Sequence, residues 1–475
     1  MTTIFIERRG LLATALSLFT SGGIFRRSNA AKRDGMFPED FVWGASTSSY
    51  QIEGAVDEDG RGKSIWDVFS HEPGRVQNGD TGDVACDHYH RWRDDIDLLS
   101  GGGFTAYRFS TAWSRILPSG AGFIEHRGLD FYDRLVDALL AKGLRPWLCL
   151  YHWDLPQVLQ EGGGWRNRDT CTKFAEYARV VAKRVGDRVK YWLTFNEPNV
   201  HALLGHGTGT HAPGLEGLPN TLAAIHHLNL AHGRAVQALR AESVGLRVGN
   251  AISLQPVRPS SNATGDRRAA ERFDAMWNGA SLDPLVKGIY PAPVADDFAP
   301  LVADGDFATM RQPIDFLGVN YYSPMYVIEA PQSLFGAWFG AAPTGMRFTA
   351  IGWPVDAGAL NEELIRLRDH YGNPELYVTE NGACYDDQLL ASEVVLDKER
   401  IAYLRDHLVA VLDALAAGVN LRGYFVWSLL DNFEWAEGYS RRFGMVYVDF
   451  RTLKRTPKAS YHWLAEVIKS QTRRN

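Results

Sequence analysis

The chain has 475 residues, 45% hydrophobic and 12% aromatic, enough apolar material for a large core, so a disordered or fibrous protein is excluded. Fifty Lys and Arg face 56 Asp and Glu, for a formal charge of −6. With the charges spread along the whole chain, no basic stripe suits a nucleic-acid backbone and no polybasic segment suits a lipid surface.

The first element is "ERRGLLATALSLFTSGGIFRRSNAA", in which Arg8 and Arg9 precede an apolar run from Leu11 to Phe19 and small residues lead to Ala30. It resembles a twin-arginine export signal. The run is too short to span a bilayer, and Ser28 and Ala30 stand where a signal peptidase needs small side chains. The expectation is a signal peptide over residues 1–30, a single domain over residues 31–475, and export in folded form to the periplasm, with no membrane anchor. The four cysteines, Cys86, Cys149, Cys171 and Cys384, are scattered singly, which suggests neither a zinc site nor a redox motif.

Eight short apolar or β-branched runs follow in order: "FVWGAST" (41–47), "AYRFSTA" (106–112), "RPWLCLYHW" (145–153), "YWLTFNEP" (191–198), "RVGNAISL" (247–254), "DFLGVNYY" (315–322), "LYVTENG" (376–382) and "LRGYFVWSLLD" (421–431). Amphipathic stretches such as "GLDFYDRLVDALLAKGL" and "KERIAYLRDHLVAVLDALAAG" lie between them, several closing on Gly as helices do. Eight strands alternating with helices, with no linker and no internal repeat, predict a single α/β domain, a (β/α)8 barrel of the TIM type with extended strand-to-helix loops. Residues 323–359 read as one long irregular loop at the mouth of that barrel.

In such a barrel chemistry collects at the C-terminal strand ends, and polar residues concentrate there. The first strand leads to Gln51, the second carries Arg108, the third ends in His152 and Trp153, and the fourth in Asn196 and Glu197. The sixth ends in Asn320 and Tyr322, the seventh in Glu380, and the eighth in Trp427, with Glu434 and Trp435 beyond it. Two carboxylates facing one pocket, among amide, imidazole and indole groups, are what glycosidic cleavage needs. One protonates the leaving oxygen while the other attacks or activates water.

The motifs "FVWGASTSSYQIEGA", "YRFSTAWSRILPSG", "YHWDLP", "TFNEP", "TENG" and "WSLLDNFEWAEGYSRRFGMVYVDF" together resemble glycoside hydrolase family 1, the β-glucosidase family, across the whole chain after the signal. The resemblance implies a retaining β-glucosidase acting on a small-molecule β-glycoside without metal or organic cofactor, with Glu197 as acid/base and Glu380 as nucleophile. It also implies a terminal-sugar pocket formed by Gln51, His152, Trp153, Asn196, Asn320, Tyr322, Trp427, Glu434, Trp435 and Phe443.

Physical reasons accompany these roles. Arg108 and the Tyr322 hydroxyl are available to stabilise an ionised Glu380, whose charge in turn raises the pKa of Glu197. Asn196 is placed to hydrogen-bond a sugar 2-hydroxyl. Gln51 and Glu434 suit vicinal hydroxyls, Trp427 offers a flat floor, and a carboxylate at position 434 would repel a phosphorylated sugar. Two features depart from the family pattern: His206, where Tyr is more usual, and "DAGAL" (356–360). Both read as lying outside the terminal-sugar pocket, where they bear on the aglycone. A broader β-glycosidase, a transglycosidase and a non-catalytic sugar-binding barrel are the alternatives; the last would lack one of the two carboxylates. Asp87, His88 and His90 invite a metal reading, but their spacing is read as structural, as are His226 and His227.

Overall fold

The computed structural model describes residues 36–472, so the expected signal peptide lies outside the described residues. All eight expected strands form: β1 (Val42–Ser46), β2 (Ala106–Ser110), β3 (Arg145–Tyr151), β4 (Tyr191–Asn196), β5 (Arg247–Ser253), β6 (Phe316–Asn320), β7 (Leu376–Asn381) and β8 (Leu421–Trp427). Each pairs in parallel with its sequence neighbour, and β8 closes on β1. The strands read as near-continuous apolar runs because the barrel interior covers one face and the helices the other.

The lower interior is an aromatic plug. Trp147, fully buried on β3, stacks on Tyr191 at 4.2 Å and meets the edges of Tyr377 at 4.6 Å, Phe425 at 5.0 Å and Phe316 at 5.1 Å. Glycine is required at position 44, because a Cβ there would lie 2.1 Å from the Phe425 ring. With that end filled, the C-terminal end is left for a polar cavity.

The outer layer includes α1 (His126–Ala141), α2 (Asp169–Val185), α3 (Pro198–His206), α4 (Leu218–Glu242), α5 (Ala357–His370), α6 (Lys398–Ala416) and α7 (Ala459–Thr472). The predicted amphipathic stretches fall on α1, α2, α4 and α6, whose apolar stripes are buried against the barrel.

Two features interrupt the regular ladder. The β4–β5 register slips between Leu193 and Asn196, and the β6–β7 register slips between Val378 and Glu380. A slip of this kind turns a side chain away from strict alternation, and both occur beside the two carboxylates singled out above.

The region 323–359 is not a simple irregular loop. Met325–Glu329 pairs in parallel with Val257–Pro259 and antiparallel with Ala337–Phe339, making a three-stranded sheet at the barrel mouth. A hairpin of Val446–Asp449 with Lys454–Pro457 also forms, leading into α7. Its strands of four residues each are too short to give a clear alternating signal. All four cysteines are free and buried.

One buried acid belongs to the scaffold rather than to the mouth. Glu363 on α5 is fully buried, and neither carboxyl oxygen has a hydrogen-bond partner. Burial pushes its pKa up from 4.5 to about 7, with Arg366 opposing and Asp274 and Glu362 adding to the rise. The folded chain therefore holds a proton there that the unfolded chain has lost, so the contribution of Glu363 to stability falls as pH rises from 4.5 to about 7, by about 3 kcal/mol, and does not change further above that. Glu363→Gln is expected to lose less of its melting temperature between pH 5 and pH 8 than the parent chain does. Equal losses would contradict this assignment.

Candidate active site

Glu197 follows β4 and caps α3 with a backbone φ of 45°, left-handed for a non-glycine residue. Its N–H donates to the Ala251 carbonyl at 2.8 Å, and Pro198 opens the helix, where a missing N–H costs nothing. Glu380, on β7, pairs in register with Asn320 of β6. Gly382, just beyond it, admits the close approach of β8, since a Cβ there would lie 1.9 Å from the Trp427 carbonyl oxygen. Both carboxyl groups are buried.

Their surroundings differ. Arg108 Nη1 donates to Glu380 Oε1 at 2.5 Å, and the Tyr322 hydroxyl donates to Oε2 at 2.6 Å. Glu197 Oε1 has no hydrogen-bond partner. Burial pushes Glu197 up to about 8, and the neighbouring Glu380 charge adds to that, against the pull of Asn320 and Arg108. Burial also raises Glu380, but Arg108, Tyr322 and Asn320 all draw it back. Tyr322 itself stays a phenol, its pKa raised by burial and then by Glu380. One carboxyl thus has two donors aimed at its charge, and the other is favoured to keep a proton.

Arg108 also fixes the neighbouring amide. Its Nη2 donates to Asn196 Oδ1 at 2.5 Å, and Asn320 Nδ2 donates to the same oxygen at 2.9 Å. Both lone pairs of that oxygen are used, so Asn196 Nδ2 must be the donor to His152 Nε2, at 2.9 Å. His152 is held neutral, its pKa pushed well down by burial and then by Arg108. Accepting at Nε2, it carries its proton on Nδ1, which has no partner in the protein. Asn196 keeps one N–H and His152 one N–H for a ligand.

The other expected pocket residues assemble around these. The Trp427 indole lies nearly parallel to His152 at 5.6 Å, Trp435 lies 6.0 Å from His152, and Trp153 packs on Trp435 at 4.9 Å. Trp153 Nε1 donates to the Asn196 carbonyl at 2.8 Å, which makes Trp153 an apolar wall rather than a donor to sugar. Phe443 packs edge-on to Tyr322 at 6.1 Å.

Gln51 has less capacity free for vicinal hydroxyls than its side chain alone offers. Its Nε2 donates to Asn432 Oδ1 at 3.0 Å and to the Phe433 carbonyl at 2.9 Å, and its Oε1 accepts from Ser48 at 2.6 Å. Only a single lone pair of Oε1 is left for a hydroxyl. Glu434 also differs from expectation: burial, then the Glu380 and Glu437 charges, push it up to about 8, and its Oε2 is unpartnered. A carboxyl favoured to keep its proton can both donate and accept. Burial beside Glu380 disfavours a phosphate dianion there whether or not Glu434 is charged.

Sequence reasoning passed over three contributors. Trp353 packs against Tyr322 at 5.4 Å and Phe443 at 5.9 Å. Asn432 anchors Gln51, and the buried Trp66 backs Trp435 at 4.5 Å.

Behind the pocket lies a buried ring of charge. Asp431, between Trp427 and Glu434, accepts from Lys458 Nζ and Arg442 Nη1, both at 2.6 Å, and from the Gly444 N–H at 3.0 Å. Lys458 also reaches Asp387 at 2.6 Å, and Arg400 bonds Asp387 at 2.7 Å, Asp397 at 2.5 Å and the Ala383 carbonyl at 3.1 Å. Three cations and three anions thereby tie the loop after β8 to the loop after Glu380, in a setting where an unpaired charge would be costly.

The remaining candidates are structural. His88 pairs with Asp95, and His90 with Asp87 and Glu58. No metal-binding group of three such residues occurs among the described residues. His226 bonds Asp306 and Tyr290, and His227 bonds the Trp165 carbonyl. His206 is fully buried against His201 rather than facing a ligand, and Asp356 of "DAGAL" caps α5.

Residues 33–473 match the family described as Glycosyl hydrolase family 1. The chain is 48% identical over 460 residues to the thermostable beta-glucosidase B of Thermobispora bispora, covering 94% of this chain and 93% of that protein. It is 46% identical over 439 residues to the 1,4-beta-D-glucan glucohydrolase of Thermotoga neapolitana, covering 91% and 98%. The structure of the beta-glucosidase from Thermotoga maritima in complex with deoxynojirimycin superposes with a TM-score of 0.89 at 45% identity, covering 92% of this chain and 99% of that one. From sequence, fold and site geometry together, the chain belongs to glycosyl hydrolase family 1.

Proposed function

We propose that this family member is a retaining β-glucosidase, releasing terminal non-reducing β-D-glucosyl units from oligosaccharides and from aryl or alkyl β-glucosides through a covalent glycosyl-enzyme intermediate. The observation that carries the reading is the contrast between the two buried glutamates: Arg108 and Tyr322 donate to Glu380, and Glu197 Oε1 is unpartnered with the group raised to about 8.

Glu380 attacks the anomeric carbon as Glu197 transfers its proton to the leaving oxygen, and the glycosidic C–O bond breaks. The ester that forms cancels the Glu380 charge, which removes one cause of the raised Glu197 pKa. Glu197 then takes a proton from water, whose oxygen attacks the same carbon and returns Glu380 as carboxylate. The free N–H of Asn196 is available to a sugar 2-hydroxyl, the proton on His152 Nδ1 to a further hydroxyl, and Trp427 and Trp435 supply apolar faces. No step needs a metal or organic cofactor. A broader β-glycosidase or a transglycosidase would use the same two carboxyls; relative kcat/KM on glucosides, galactosides and fucosides, and the yield of transfer product, separate these readings.

With p-nitrophenyl β-D-glucoside the first sugar seen by NMR should be β-glucose, and kcat/KM should fall as pH passes about 8. Glu197→Gln is expected to lose roughly 10²- to 10⁴-fold on alkyl glucosides, much less on a glucoside with a strongly acidic phenol leaving group, and to lose the basic limb of the pH profile. First release of α-glucose, or equal losses on both leaving groups, would overturn these roles.

Delivery to the periplasm in folded form is proposed from the paired Arg8 and Arg9 and the short apolar run after them. A reporter that must cross the membrane folded, fused to residues 1–35, is expected outside the cytoplasm; its retention inside would contradict the proposal.

A further inference from the structure

Behind the nucleophile lies a buried hydrogen-bond chain that touches no substrate. Asn381, the residue after Glu380, is fully buried at the end of β7, and its Nδ2 donates to the Tyr321 carbonyl at 2.7 Å and to Tyr403 Oη at 3.0 Å. With the amide nitrogen on that side, the Tyr424 hydroxyl must donate to Asn381 Oδ1, at 2.6 Å. Tyr403 Oη accepts from Asn381, so its own proton goes to the Tyr322 carbonyl, at 2.8 Å. Every direction is thereby set, from Tyr424 on β8 through Asn381 to Tyr403 on α6 and then to the backbone of Tyr322.

Tyr322 depends on such a hold because it has left the sheet. Strand β6 ends at Asn320, and the next bond toward β7 is the Tyr321 N–H to the Glu380 carbonyl at 3.0 Å. Tyr322 lies beyond that pairing, yet its hydroxyl meets Glu380 Oε2 at 2.6 Å. Tyr403 is itself clamped. His407, one turn along α6, stacks on its ring at 3.8 Å and donates from Nδ1 to the Tyr403 carbonyl at 2.8 Å. Tyr403 and Tyr424 are both buried, so neither bond competes with water.

We propose that Tyr403 is a positioning residue for the nucleophile: by holding the Tyr322 carbonyl, it keeps the Tyr322 hydroxyl on Glu380. The inference rests on the β-glucosidase reading, in which Glu380 attacks as a carboxylate. Without the Tyr403 hydroxyl, the Tyr322 carbonyl and one Asn381 N–H lose a partner, and the Tyr322 backbone is released. A phenol drawn away from Oε2 no longer favours the charged form of Glu380, and the acid becomes harder to ionise. The groups that face Glu380 are Arg108 from β2, Glu197 after β4, Asn320 and Tyr322 at the end of β6, and Glu434 after β8. Of these, Tyr403 bonds only Tyr322.

The test is the pH dependence of kcat/KM on p-nitrophenyl β-D-glucoside, whose acidic limb reports ionisation of the nucleophile in the free enzyme. Tyr322→Phe removes the donor outright and should move that limb up by about one to two pH units. Tyr403→Phe should move it the same way by about half a unit, and the double variant should match Tyr322→Phe. Tyr177→Phe is the control for loss of a buried hydroxyl. From α2 it donates to the Thr111 carbonyl, just past β2, at 3.1 Å, and its loss should lower the melting temperature without moving the limb. A limb unchanged in Tyr403→Phe but moved in Tyr322→Phe overturns the positioning role and leaves the nucleophile standing. So does a Tyr403→Phe shift that Tyr177→Phe reproduces, or one that persists in full on top of Tyr322→Phe. Should Tyr403→Phe not fold, Tyr424→Phe, one bond further back, should give a smaller shift in the same direction, and a parental limb there overturns the proposal. A parent chain inactive on the aryl glucoside, or a limb that Tyr322→Phe leaves in place, overturns this inference together with the roles of Glu380 and Tyr322.

Discussion

The geometry of the mouth depends on Arg108. One guanidinium nitrogen is bonded to Glu380 and another to Asn196, all of them buried, so a single cation supports an ionised carboxylate and sets which way an amide points. From that orientation follow the tautomer of His152 and the free hydrogens that a sugar can use. Such a cation is costly to bury unless its partners are fixed, and the fold fixes them by placing Arg108, Asn196 and Glu380 on strands of one closed barrel.

The two carboxyls acquire different properties from the same enclosure. Burial raises both, and what separates them is where the donors go: to Glu380 from Arg108 and Tyr322, with Glu197 Oε1 left without one. This division is the basis on which Glu380 is proposed as nucleophile and Glu197 as acid. The ring of Asp431, Lys458, Asp387, Arg400, Asp397 and Arg442 serves the same purpose one layer out, since it fastens the segments that carry Glu434 and Phe443 to the segment just past Glu380. Rigid support of this kind keeps reacting groups in place without reorganisation during the reaction.

Much of this was legible from sequence because the information is local. Buried parallel strands leave continuous apolar runs, and a polar residue closing such a run, as Glu197 and Glu380 do, marks the barrel mouth. What was not legible depends on neighbours distant in sequence. The register slips beside both glutamates arise from pairing with β5 and β6, and the internal use of the Gln51 amide is decided by Asn432 and Phe433, some 380 residues away. The protonation of Glu434 follows from depth and from Glu380, neither of which its own motif encodes. The small sheet in residues 323–359 escaped notice because its strands are short and one of its partners, Val257–Pro259, lies on the far side of several helices in sequence.

The central claim, that Glu380 is the group that bonds to the sugar, is tested most directly by trapping the bond. A 2-deoxy-2-fluoro-β-glucosyl fluoride combines a good leaving group with a fluorine that slows every step through an oxocarbenium-like state, so the glycosyl-enzyme should accumulate. Mass spectrometry of the intact chain should show one added fluoroglucosyl group, and peptide mapping should place it on Glu380. Attachment to Glu197 or to any other residue, or steady turnover of the reagent with no adduct, would contradict the account.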